Sequence, residues 1–141
     1  KGGRADISFD YSNSSVRDPI LGTSREIGND FRTSYRLDLR QDFQSSSWAI
    51  GGALDYSEVY PSVRIDEVSF YNQSPEILNL YIENKDVGGL TVRANIWNLL
   101  GAKNRFERTI FNDRLTNDVA YSERRSRSFG YSYTLTIEGT F

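Results

Sequence analysis

The 141-residue chain has no cysteine, no histidine and no methionine. Without cysteine there is no disulfide framework and no thiolate metal site. Without histidine the usual general base and the commonest imidazole metal ligand are missing. No Ser-His-Asp or Cys-His nucleophile can therefore be assembled, and no pattern points to a Ser-Lys or paired-carboxylate site. The chain is expected not to be an enzyme and to need no cofactor or metal. The missing methionine leads us to expect a fragment or a processed product. Lys1-Gly2-Gly3-Arg4 does not begin a signal peptide, because no apolar stretch follows it. Lysine is scarce, with Lys1, Lys85 and Lys103 beside fourteen arginines, and arginine is the better residue for fixed ion pairs and phosphate contacts. A net charge of -2 argues against a nucleic-acid-binding surface. No apolar run approaches the roughly 20 residues of a transmembrane helix, and mean hydropathy is low, at -0.56. Low hydropathy does not exclude a membrane barrel, whose strands alternate apolar and polar residues.

What is present is aromatic and alternating. Nine tyrosines and eight phenylalanines stand in a chain whose dominant period is two. In Phe129–Phe141, the residues Phe129, Tyr131, Tyr133, Leu135, Ile137, Gly139 and Phe141 take one face, against Gly130, Ser132, Thr134, Thr136, Glu138 and Thr140. Five more segments repeat the pattern. Asp6–Tyr11 sets Ile7, Phe9 and Tyr11 against Asp6, Ser8 and Asp10. Phe31–Phe43 sets Phe31, Tyr35, Leu37, Leu39 and Phe43 against Arg32, Ser34, Arg36, Asp38 and Arg40. Trp48–Tyr56 sets Trp48, Ile50, Leu54 and Tyr56 against small residues and Asp55. Leu78, Leu80 and Ile82 form a shorter stripe blurred by Ile77 and Tyr81. Leu90–Trp97 alternates Leu90, Val92, Ala94 and Ile96 with Thr91, Arg93, Asn95 and Trp97. Long connections (Ser12–Gly28, Pro61–Pro75, Asn112–Arg124) alternate with short ones (Gln44–Ser47, Asp86–Gly89), and all three prolines lie in or at the ends of long ones.

These features predict an all-β fold, an antiparallel up-and-down meander of about six long strands that is part of a transmembrane β-barrel. Short turns lie at one end and long loops at the other. Placing the strands this way brings Tyr11, Phe31, Tyr56, Phe129 and Tyr131 to the outer interface and Phe43, Trp48 and Phe141 to the inner one. Two aromatic girdles result. Arg32, Arg36, Asp38, Arg40, Arg93 and Glu138 face the lumen, where Asp6, Asp10 and Asp55 on adjacent strands are candidate partners. A soluble β-sandwich or meander would also alternate, but rarely in thirteen-residue strands with girdled ends.

At its C-terminal third the sequence resembles the end of the barrel of TonB-dependent outer-membrane receptors. The residues that carry the likeness are Gly89-Leu90-Thr91-Val92-Arg93-Ala94-Asn95-Ile96-Trp97-Asn98-Leu99-Leu100, followed by Gly101 where the family usually has Asp. Tyr133, Leu135, Ile137, Gly139 and Phe141 resemble the terminal signal read by the barrel-assembly machinery. The resemblance is clear from about Glu76 onward. It implies that residues 1–141 are the last six strands of a barrel of about twenty-two, without the plug or the segment that meets TonB. It further implies the outer membrane of a Gram-negative bacterium. The implied partners are outer-membrane lipid and lipopolysaccharide, the assembly machinery, the remaining barrel and plug, and TonB through the plug-bearing part. No nucleic-acid partner is expected. Uptake of a scarce ligand such as a siderophore or oligosaccharide is the implied activity. The alternatives are a small structural or adhesion barrel, or a soluble β-domain that binds a partner through a sheet edge. Among smaller features, Asp66-Glu67 is a weak cation candidate. Arg124, Arg125 and Arg127 are a candidate anion site for lipopolysaccharide phosphate, more simply read as an ion-paired strand extension. Asn13-Ser14-Ser15 matches a glycosylation acceptor that carries no meaning in a bacterial barrel.

Overall fold

The structure, a computed structural model, describes residues 2–72 and 76–139. The described residues are all-β, with 69% strand and no helix. In chain order the strands are β1 Gly3–Tyr11, β2 Val16–Arg17, β3 Ser24–Arg25, β4 Phe31–Asp42, β5 Trp48–Val59 and β6 Ser62–Val63. They continue with β7 Glu67–Asn72, β8 Ile77–Val87, β9 Leu90–Trp97, β10 Lys103–Asp113, β11 Asp118–Ser128 and β12 Ser132–Glu138. The main sheet has six strands in the order β1-β4-β5-β8-β9-β12, all antiparallel. These are the six alternating segments, each paired with its predecessor. Among the described residues β1 and β12 each pair on one side only, so the sheet is open.

The turns follow from local chemistry. At one end Val87 pairs with Leu90 across Gly88-Gly89, whose φ values of 64° and 83° suit the left-handed two-residue turn favoured by hairpin twist. At the same end the Phe43 N–H donates to the Trp48 carbonyl at 3.0 Å and closes the β4–β5 turn. All three long connections leave from the other end.

Three expectations are corrected, and one open register is fixed. The long connections are themselves folded. The β5–β8 and β9–β12 connections supply a second sheet in the order β11-β10-β7-β6, and Ser12–Gly28 contains the β2–β3 hairpin. Asn112–Arg124 is thus not a loop: it holds the end of β10, the four-residue turn 114–117 and more than half of β11, in a hairpin whose arms are eleven residues each. The final strand starts at Ser132, not Phe129, because Gly130 takes a φ of 71° and Phe129–Tyr131 become the corner between β11 and β12. A register shift between Phe31 and Thr33 interrupts β4. Such a bulge re-aims side chains, and it takes Arg32 out of the Arg36 and Arg40 row, onto Glu58 and the Tyr60 ring. Finally, the blurred stripe at Ile77 and Tyr81 has a definite register, with Leu78, Leu80 and Ile82 on one face and Ile77 and Tyr81 on the other. Pro75 and Phe141 lie outside the described residues.

Candidate functional site

The two faces of the main sheet differ completely. Reading across the pairings, Ile7 lies beside Leu37, Leu37 beside Leu54, and Leu54 beside Leu78. Leu80 lies beside Ile96, and Ile96 beside Tyr133. The apolar stripes of all six strands therefore merge into one field. Nothing among the described residues covers it. Its edges and much of its middle are well exposed, with Leu80 at 41% and Ile7 at 77%, Leu37, Leu54, Leu78 and Ile96 are half-buried between their neighbours, and the buried apolar residues of the described chain are Ala49, Ala53 and Tyr60. A soluble domain of this size would bury such a field as its core. The total accessible surface is 9726 Å², against about 7400 Å² for a compact protein of this mass. The sheet is a single layer.

Most charges of the opposite face are paired within it. Glu83 is nearly fully buried and bridges two arginines. One carboxylate oxygen accepts from Arg40 at 2.6 Å and the other from Arg93 Nε at 2.7 Å. Both guanidinium groups also lie over the Tyr81 ring, at 5.8 Å and 4.5 Å from its centroid. Arg40 reaches Asp42 as well, and Lys85 joins Asp42 from the next strand but one. Arg36 binds Asp38 and, at 2.7 Å, Asp55. Of the predicted aspartate partners of this row, Asp55 makes the contact, whereas Asp6 binds Arg4 and Asp10 accepts from Ser34. Tyr81 lies flat because Gly51 stands opposite it. A Cβ at Gly51 would meet the Tyr81 hydroxyl and, at 2.6 Å, the Leu39 carbonyl oxygen. Gly51→Ala is therefore expected to cost about 1–3 kcal/mol, seen as a lower Tm of the folded chain, with the loss carried by the Arg40–Tyr81–Arg93 stack.

The long-loop end is held by two buried hubs. Tyr60 donates its hydroxyl to the Ser12 carbonyl at 3.1 Å, and its backbone bonds Asn29 and Asp30, so it staples the exits of β1, β4 and β5. Asp18 is 1% exposed. It accepts from the Ile20 and Leu21 N–H groups at 2.9 and 3.0 Å, from Arg25 at 2.9 Å, and from Arg114, at the β10–β11 turn, at 2.6 Å. The Leu21 N–H is the foremost reason that this carboxyl is held well below the usual carboxylate range; Arg114, Ile20 and Arg25 add to it, and burial opposes it. A lowered native pKa stabilises the fold above the unfolded value of about 3.9 and is lost as pH falls toward the native one. Protection of the Asp18–Glu26 loop from proteases is thus expected to be the same at pH 5 and pH 7 and to decline below about pH 4, with pepsin as the acid probe. Asp18→Asn should raise cleavage there about tenfold or more at pH 7, by opening a locally closed segment.

The two sheets meet at a hollow of about 420 Å³. Asp55, Ser57 and Ile77 line it from the polar face of the main sheet, Tyr71 from β7, Asn104 from β10, and Phe129 from the corner. Asn104 donates to the Tyr71 hydroxyl at 3.0 Å. Trp97 meets Phe129 edge-on with centroids 5.8 Å apart, and Phe106 meets Tyr71 likewise at 6.3 Å. On the same side of the second sheet Arg125 lies over Phe106 and Arg108 over Tyr121. Glu123 sits between these two arginines, and Arg125 first, then Arg108, lowers its pKa.

Asn98 organises the corner above β9. It is fully buried, with a φ of 61°. Its side-chain oxygen accepts from the Ala102 N–H at 2.8 Å, and its amide donates to the Gly130 carbonyl at 2.9 Å and the Ala102 carbonyl at 3.3 Å. It pins the start of the β10–β11 excursion to its end.

The predicted site residues fall as follows. Tyr133, Leu135 and Ile137 project from β12 on the apolar field, and Gly139 follows the strand. Tyr11, Phe31, Tyr56, Phe129 and Tyr131 all stand at the long-loop end, with Tyr56 stacked on Tyr35 at 4.8 Å; Phe43 and Trp48 stand at the short-turn end. Arg36, Asp38, Arg40, Arg93 and Glu138 share the polar face, and Arg32 does not belong to that row. The three late arginines are divided: Arg124 binds Glu107 at 2.7 Å on one side of β11, whereas Arg125 binds Glu123 on the other side, which Arg127 shares. Asp66 offers its carbonyl to Phe111, and no group of three or more metal-type side chains gathers among the described residues. Sequence reading missed Asn98 as a pin, the Asp18–Arg114 pair and the hollow. Only Asn98, inside the quoted family motif, carried a signal. In comparisons with known proteins the chain matches no family model, no curated protein and no solved structure.

Proposed function

We propose that this chain is a wall segment of an outer-membrane transporter barrel of the TonB-dependent kind, in which lipid covers the apolar field and the lumen faces the charged side. One observation carries the reading: six consecutive antiparallel strands share an uninterrupted apolar face that no part of the described protein covers. Such a field far exceeds the few hundred Å² of exposed apolar patch that soluble monomers tolerate, and a bilayer is the environment that removes it from water. The internally paired polar face, the aromatic residues at both ends and the long loops gathered at one end agree with it. In this reading β1 and β12 pair with the strands of the remaining barrel, because an open edge has no place in hydrocarbon. Arg125, Glu123 and Arg108 belong to the folded outer loops. The resemblance of Gly89–Leu100 and of the closing strand to TonB-dependent receptors points to ligand uptake as the task.

The test is detergent dependence. The full chain is expected to fold only in micelles or vesicles, to migrate differently on gels before and after heating, and to resist protease on its strands when inserted. A monodisperse, folded monomer in detergent-free buffer would falsify the membrane reading and favour a soluble domain pairing through a sheet edge.

A further inference from the structure

The hollow between the two sheets meets the charge network only at Asp55 and the aromatic stripe only at Tyr56. We propose that it binds a neutral saccharide, an inference that rests on the outward-facing receptor wall argued above and narrows its ligand class. Three observations converge. The first is charge. Of the lining residues only Asp55 is charged, and its partner Arg36, at 2.7 Å, is shared with Asp38, so the hollow has no cation to spare. An anionic chelate would enter without a counter-charge and lose its hydration. The second is the mixture of surfaces. Phe129 and Tyr71 supply two aromatic rings, each fixed by an edge-on neighbour, and Ile77 adds a third apolar patch. The Ser57 hydroxyl, the carbonyl of the Asn104 amide and the second oxygen of Asp55 offer hydrogen-bonding groups beside them. A purely apolar ligand would leave those groups without partners. A sugar ring presents an apolar C–H face to a ring and hydroxyls around its rim, which matches this arrangement. The third is size. A volume of about 420 Å³ lies in the range of small-molecule sites and holds one or two hexose units rather than a long chain.

The protein supplies its own reporter. Trp97 touches Phe129, whereas Trp48 lies at the far end of the sheet, so Trp48→Phe leaves a single emitter beside the hollow. The full Trp48→Phe chain, folded in micelles, is titrated with neutral oligosaccharides of two to four units from the malto-, cello- and manno- series, and separately with an anionic ferric tris-catecholate. At least one neutral series is expected to shift Trp97 emission saturably. Tyr71→Ala and Phe129→Ala should each weaken that binding about tenfold, and Tyr71→Phe, which keeps the ring, should weaken it less. The inference is overturned by the absence of a saturable response to every neutral series. It is equally overturned by tighter binding of the ferric chelate, or by saccharide binding that both alanine variants leave unchanged while retaining wild-type protease resistance. Vesicle insertion is measured on the same samples. A chain that inserts and binds no saccharide defeats this inference alone, and one that folds in plain buffer defeats the membrane reading whatever the titration shows.

Discussion

Leu80→Arg is expected to keep the chain out of a bilayer, while Thr134→Arg leaves insertion intact. Leu80 lies near the middle of the apolar field, between Gly52 and Ile96 on its neighbouring strands. Arginine on the lipid face near the bilayer midplane costs about 2–4 kcal/mol, which corresponds to about 30- to 900-fold in the insertion equilibrium. Thr134 pairs with Asn95 on the other face, where an added cation meets water and the carboxylates of the charge network. The comparison between the two variants is the informative quantity, because both add the same side chain to the same sheet. Vesicle insertion, scored by heat-modifiable migration and protease resistance, should separate them clearly. Equal behaviour would mean that the two faces see the same solvent, and the proposed wall would then be wrong.

The second large effect belongs to a single amide. Asn98→Ala removes three hydrogen bonds and places an alanine at a φ of 61°. The left-handed backbone costs an ordinary residue about 1–2 kcal/mol. Leaving the Ala102 N–H and the Gly130 carbonyl without this partner costs about 1–3 kcal/mol more for each group that finds no water. A total near 3–5 kcal/mol is expected, read as a shift in the urea midpoint of the micelle-folded chain and followed through Trp97. Asn98→Gly keeps the backbone free of strain and should recover about 1–2 kcal/mol of the loss. Asn98→Asp keeps the bond from Ala102 N–H but loses both donors, and should fall between them. If Asn98→Ala behaves like a substitution at an exposed position, the pin does not hold the corner.

The main sheet was legible because period two survives any tertiary arrangement. Leu37, Leu54 and Leu78 had to fall on one face once their strands were adjacent, and adjacency follows from short turns such as Gly88-Gly89. What escaped depends on groups far apart in sequence. Asp18 and Arg114 looked like ordinary loop charges, because no local pattern joins residues at that separation. The β10–β11 hairpin was hidden by composition. Arg105, Glu107, Arg124 and Arg127 occupy strand positions on both sides of a sheet exposed to water, so no apolar stripe marks them. Parity alone places Phe129 in the closing strand, and parity does not register a glycine that turns the chain one residue later. The hollow was invisible for a related reason, since its lining comes from five separate stretches.

The Asp18–Arg114 pair also bears on the order in which the molecule assembles. Every neighbour in the main sheet is the preceding strand of the six, so the wall can be laid down hairpin by hairpin with modest loop-closure entropy. The pair joins residues 96 positions apart, so it can close only when the loop that carries Asp18 and the β10–β11 hairpin that carries Arg114 are both formed and brought together. The loop end should therefore remain loose through most of folding and lock late. Mutations in the lock would leave the rate of wall formation nearly unchanged and speed its opening, so that the last event in folding is the first to be undone.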